Sequence, residues 1–154
     1  MNILTLAAIN LAVNSGVRYE TDQAQYGQPE YWNPARMGGL GDCEDYALAK
    51  QLRLSAGCVS DADMGLCIVT TPTGDGHCVL CVRDGGDWYV MDNLTDEIRR
   101  PRDTGFRWYI MQVGSSWRYV WWVKAFGRTI RLLGLKAPSP PGWDDFIART
   151  AAGR

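Results

Sequence analysis

Cys43 stands directly behind a glycine-rich stretch, Gly38-Gly39-Leu40-Gly41-Asp42, and ahead of Glu44-Asp45-Tyr46-Ala47, which reads as the first turns of a helix. A thiol so placed can serve as a nucleophile. Its unperturbed pKa of about 8.5 leaves only a few per cent thiolate at neutral pH, whereas a helix N-terminus and a neighbouring imidazolium bring it to roughly 3.5–7.5. Glycine just before the cysteine also leaves room for a substrate backbone. His77 is the sole histidine of the chain, so any imidazole base for Cys43 has to be this residue. A base of this kind needs a third group to hold its tautomer, and Asp92 is the candidate.

The elements that must bring these residues together can be read from spacing. Cys43 to Leu54 carries Ala47, Leu48 and Leu52 on one helical face, with Gly57 as its stop. His77–Arg83 and Trp88–Asp92 alternate around Asp84-Gly85-Gly86-Asp87, a hairpin signal. With Gly85-Gly86 as a two-residue turn, Val79 faces Asp92 and His77 faces Leu94. His77 and Asp92 then share one face as diagonal neighbours, ~7–8 Å apart between backbones, and a small bulge would bring them closer. A one-residue slip would put them on opposite faces. Leu66–Thr71 and Arg107–Val113 read as further strands, Tyr19–Pro34 as an extended aromatic loop, and Ile3–Leu11 as a first helix capped by Asn2 and stopped at Gly16.

The chain of 154 residues, 46% apolar, is the size of one domain with a real core, and its net charge of −1 points to no particular partner. Charge is nonetheless uneven: from Arg99 to Lys136 there are nine Lys or Arg and one acid, Asp103. Five cysteines without a disulfide spacing leave at least one free thiol and fit a reducing compartment. Cys58, Cys67, Cys78 and Cys81 read as small buried apolar residues. Cys78 and Cys81 stand three apart on a strand, facing opposite sides, with no second pair to complete a zinc site. No Lys or Arg precedes Arg18, so the apolar start lacks the charged region of a secretory signal, and no apolar run is long enough to span a membrane. The expectation is a soluble protein, cytoplasmic where it is made.

From Asn10 to Leu94 the chain resembles the bacterial transglutaminase-like cysteine proteinase family, whose familiar members cut surface adhesins in the periplasm. The resemblance rests on Asn10 and Asn14, Tyr19 and Asp22, Tyr26-Gly27 with Tyr31-Trp32, Gly41-Asp42-Cys43-Glu44-Asp45-Tyr46-Ala47 with Lys50, His77-Cys78-Val79-Leu80 and Val90-Met91-Asp92-Asn93-Leu94. It implies an α+β fold with a papain-like or transglutaminase-like core, the cysteine helix packed on an antiparallel sheet, and a triad of Cys43, His77 and Asp92. It also implies calcium bound by acids flanking the cysteine, here Asp42 and Glu44. A hard cation held by oxygen would cancel the penalty that three carboxylates impose on a thiolate. The same acids also suit a capping box, with Asp42 at the N-cap and Asp45 three residues on.

The expected reaction is attack of the Cys43 thiolate on an amide carbonyl, a thioester intermediate and release by water, with the Cys43 N–H as one oxyanion donor. Trp32 and Asn33 are candidates for lining the cleft. Three substrates or roles stay open: a protein or peptide; the peptides of bacterial cell wall or an acyl-accepting amine; or a catalytically silent binding protein. The missing export signal fits a protein of a phage or other mobile element, released by lysis or carried in a particle. Residues 1–115 are expected to form the peptidase core and 116–154 a basic aromatic extension. In that extension Tyr119, Trp122, Val123, Phe126, Ile130 and Leu133 fall on one helical face and Lys124, Arg128 and Arg131 on another. Such a helix over 117–136 would pack on the core or contact an anionic membrane surface. No nucleic-acid-binding module is recognisable.

Overall fold

A computed structural model describes residues 2–121 and 131–153. Its helices are α1 (Ile3–Gly16), α2 (Asp22–Tyr26), α3 (Cys43–Ala56) and α4 (Trp143–Ala152). Two short strands, β1 (Arg18–Tyr19) and β2 (Leu40–Gly41), pair in parallel. The other seven are β3 (Met64–Thr70), β4 (Gly76–Asp84), β5 (Asp87–Asp92), β6 (Thr95–Arg99), β7 (Arg107–Val113), β8 (Ser116–Trp121) and β9 (Arg131–Ala137). They form one antiparallel sheet in the order β6-β5-β4-β3-β7-β8-β9.

Helix α3 lies against β4, and its side chains Leu48 and Leu54 meet Leu66, Leu80, Val82 and Met91 of the sheet in the main core. The opposite sheet face carries Cys67, Val69, Val79, Cys81 and Val90, closed over by Phe106 and Trp108. Cys78 and Cys81 therefore enter different clusters, as strand alternation requires. The Asn2 side chain caps α1 through the Leu4 N–H. At the end of α3 the residue in the left-handed conformation is Cys58 (φ 64°), not Gly57, and the Val59 N–H closes back onto the Leu54 carbonyl.

The β4–β5 hairpin has the expected two-residue turn. Gly85 and Gly86 take φ of 59° and 87°, which only glycine accepts cheaply at both places, and the ladder runs from Asp84↔Asp87 to Leu80↔Met91. Beyond it, β5 shifts register against β6 between Val90 and Asp92. Asn10 and Asn14 of α1 hold the β5–β6 turn: Asn10 Nδ2 donates to the Thr95 carbonyl (2.9 Å) and Asn14 Nδ2 to the Asp92 carbonyl (3.0 Å).

The helix expected over 117–136 is corrected. Ser116–Trp121 and Arg131–Ala137 are strands paired with each other, and residues 122–130, with Trp122, Val123, Lys124, Phe126, Arg128 and Ile130, lie outside the described residues. Trp117, Tyr119 and Trp121 alternate with Arg118 and Val120, a period-two pattern of aromatic and β-branched residues that competes with the helical one, and the Gly114-Ser115 turn starts it as a hairpin. The sheet thus continues through the expected division at 115/116. Helix α4 also joins the core: Trp143 meets Trp32 and Trp117 edge-on, with ring centroids 5.1 and 5.3 Å away. No helix of the described residues is long and apolar enough to cross a membrane.

Candidate active site

The β1–β2 pair sets the entry to α3. Arg18 and Glu20 N–H groups donate to the carbonyls of Gly39 and Gly41, both at 3.0 Å, which fixes the glycine-rich stretch and delivers Cys43 at the helix start. Gly41 is small for a reason other than substrate access. A Cβ there would stand 2.8 Å from Asp45 Cβ and 3.0 Å from Ala35 Cβ, so the helix start has closed over it.

His77, at the open end of β4, and Asp92, at the end of β5, meet as the hairpin spacing requires: His77 Nε2 lies 2.8 Å from Asp92 Oδ1. Cys43 and His77 together line two cavities. One, of about 550 Å³, continues along Tyr19, Thr71, Leu94, Arg99 and Phe106; the other, of about 200 Å³, runs between Trp32, Glu44, Ile68, Pro140 and Pro141. A cavity of about 340 Å³ between α3 and α4 contains neither residue. Of the two proposed cleft residues, Trp32 lines the smaller cavity. Asn33 lines neither and is engaged elsewhere, its N–H on Asp45 Oδ1 (2.7 Å) and its side-chain amide on the Tyr26 hydroxyl (3.3 Å).

Asp92 is only 1% exposed, and both its oxygens are used. Oδ1 accepts from His77 and from the Leu94 N–H (3.0 Å), and Oδ2 accepts from Arg99 Nη2 (3.2 Å). Burial alone would raise its pKa, but the hydrogen bonds from His77 and Leu94 and the charges of His77 and Lys50 outweigh it and hold the carboxyl below its usual range. Lys50, two turns along α3 from Cys43, is wholly buried with no hydrogen-bond partner for its amine. Burial lowers it to about 7, against the pull of Asp92 and Asp96.

The acids around Cys43 behave in the opposite way. Asp42 takes the N-cap position without a side-chain cap hydrogen bond, and Asp45 serves Asn33, so no capping box forms. Instead Asp42, Glu44 and Asp22 bring one carboxylate oxygen each to within 4.8 Å of one another. Asp22 comes from α2, where its Oδ2 accepts from the Tyr31 N–H. Asp22 Oδ1, Asp42 Oδ1 and Glu44 Oε1 are buried without partners. Burial, then the charge of Asp42, pushes Glu44 up to about 9; burial also raises Asp42 and Asp22. The Cys43 thiol donates to Glu44 Oε2 (3.2 Å) and is raised well above its ordinary value, by burial first and Glu44 second. Three buried carboxylates this close together, each with one oxygen unpartnered, offer hard oxygen donors of the kind a calcium ion accepts. The sequence by itself assigns Asp22 no role, because it lies twenty residues from Asp42 and the β1–β2 pairing that brings it near is not readable from local pattern; Arg99 and the Pro140-Pro141 wall carry no signal of their own.

Comparisons with known proteins agree with this architecture. Solved structures of Legionella pneumophila LapG superpose on the chain. The calcium-bound form is 22% identical with a TM-score of 0.70, covering 96% of this chain and 79% of that one; the EGTA-treated form is 21% identical with the same score, covering 95% and 77%. These show the fold, a mixed α+β one. Among curated proteins none matches the chain. The family described as bacterial transglutaminase-like cysteine proteinase BTLCP matches residues 1–128, and with five-sixths of its length inside that match the chain belongs to this family of cysteine proteases.

Proposed function

We propose that the chain is a thiol endopeptidase that cuts peptide bonds through Cys43, His77 and Asp92. The observation that carries this reading is the 2.8 Å His77–Asp92 contact beside a helix-start cysteine on shared cavities. With Nε2–H given to Asp92, His77 Nδ1 is left to take the Cys43 proton. The thiolate attacks the carbonyl carbon, and the oxyanion is met by the Cys43 backbone N–H. His77 then protonates the leaving amine, leaving a thioester. Water, deprotonated by His77, adds to the thioester and releases the acid and the thiol.

Calcium would be held by Asp22, Asp42 and Glu44. When bound it supplies positive charge that neutralises the carboxylates opposing ionisation of Cys43. The calcium-bound and EGTA-treated forms of LapG support the same expectation here.

The test is the rate of Cys43 alkylation against pH, with the labelled residue located by mass spectrometry, in wild type and His77→Ala, each with calcium and with chelator. Rapid labelling below about pH 7 that depends on His77 is the expected result. Labelling at the rate of an ordinary thiol under every condition would sink the reading in favour of a binding protein. Digests of protein and of cell-wall peptide then separate proteolysis from wall hydrolysis.

A further inference from the structure

Asp92 presents a second oxygen that the reaction itself does not use. Arg99, the last residue of β6, occupies it: Nη2 donates to Oδ2 at 3.2 Å, across the register shift that separates Val90↔Arg99 from Asp92↔Thr95. The guanidinium carbon stands 5.8 Å from the centre of the Phe106 ring, and that ring in turn meets the His77 imidazole at 5.7 Å and 70°. Arg99, Phe106, His77 and Asp92 therefore close a loop of four contacts around the imidazole. All four residues line the larger cavity that contains Cys43.

A carboxylate gripped through one oxygen alone turns about its last side-chain bond, and the imidazole it orients turns with it. Arginine grips the second oxygen with a planar, permanently charged group, which fixes the carboxyl plane. We propose that Arg99 is a positioning residue of the reaction, locking the plane of Asp92 so that the His77 ring stays aimed at Cys43. This rests on the peptidase reading above. An ordinary surface ion pair is a poor description of the contact, because Asp92 is buried and its partner side chain is 28% exposed. Arg99 is also a poor candidate for the main anchor of an anionic substrate, since its charge already faces the Asp92 carboxylate. The charged or titratable groups that face Asp92 are His77, Arg99 and, through its field, Lys50.

The test uses the full chain with calcium present and the variants Arg99→Met and Arg99→Lys. Because His77 is the only histidine, the imidazole proton shared with Asp92 gives one far-downfield proton resonance that needs no assignment. In Arg99→Met this resonance should broaden away or shift, with kcat lower by roughly 10-fold, the loss of one charge-assisted hydrogen bond, and KM within about twofold. Arg99→Lys should restore most of both. An unmoved resonance in Arg99→Met, or a raised KM with unchanged kcat, would overturn the proposal, the latter assigning Arg99 to substrate binding. Arg99→Gln keeps a polar group at this position and serves in the same way if the methionine variant does not fold. The resonance is read without turnover, so wild type lacking peptidase activity would refute the peptidase reading while leaving the Arg99 contact separately tested.

Discussion

Asp92, bonded to the His77 imidazole, and Glu44, bonded to the Cys43 thiol, are both buried carboxyl groups, and they end on opposite sides of the usual carboxylate range. Burial opposes the charge of each. The difference lies in donors: three N–H groups reach the two oxygens of Asp92, whereas Glu44 keeps Oε1 with no partner and shares its space with Asp42 and Asp22. One side of the site carries its own countercharge, and on the other the described residues supply none to Glu44. Burial by itself therefore says little about the ionisation of an acid; the inventory of groups facing it decides.

Asp92→Asn is the strongest way to break this comparison. It keeps shape but removes the charge that holds the imidazole and pairs with Arg99, so the melting temperature should fall while the variant still folds, and peptide turnover below that temperature should drop about 10³–10⁴-fold. A loss below tenfold would mean that Asp92 is a structural acid like its neighbours.

Calcium tests the other side. In the fold Glu44 keeps its proton up to about 9, against about 4.5 for the ordinary group, so the unfolded chain releases it first. That contribution to stability is full below about pH 4.5 and is lost as pH rises toward 9. Calcium at about 100 times its Kd should add about 2.7 kcal/mol, or roughly 5–10 °C in Tm, with a larger gain near pH 8 than near pH 5 because fewer protons must be displaced. Glu44→Gln should abolish most of that gain. A pH-independent gain, or one that survives Glu44→Gln, would place the ion elsewhere.

Lys50 sharpens the comparison with a smaller effect, being a cation sealed without a hydrogen-bond partner. Its folded value of about 7 lies below the ordinary 10.5, so the unfolded chain holds the extra proton between them and the stability of the wild type rises with pH through that window. Lys50→Met should stabilise the protein by about 1–3 kcal/mol at pH 7 and by progressively less as pH approaches 10, measured by denaturant unfolding. Destabilisation would show that the field of Asp92 and Asp96 outweighs the burial of the amine.

Much of this site was legible in the sequence because it depends on local rules. A two-glycine turn fixes a hairpin register, and that register alone carries His77 to Asp92; a glycine-rich stretch ahead of a helical pattern places Cys43. What was not legible depends on distant pairing. Asp22 reaches Asp42 only through the parallel β1–β2 contact, and Arg99 reaches Asp92 only through a short strand, Thr95–Arg99, too polar to stand out. Around Trp117–Trp121 two periodicities overlap in the same residues, and the choice between them is made by the free edge of β7, which offers Ser116–Trp121 a ladder.

The cluster of Trp32, Trp117 and Trp143 has a consequence for the order in which the cleft is made. Pro140-Pro141 line the smaller cavity together with Cys43, held by the Trp32 indole N–H on the Pro141 carbonyl (2.9 Å) and followed by the buried Trp143. On the ribosome, Cys43 precedes those prolines by almost a hundred residues, roughly 5–20 s of synthesis at about 5–20 residues per second. By then the larger cavity, lined by residues no later than Phe106, has been translated in full, so the smaller cavity is the last part of the site to be made.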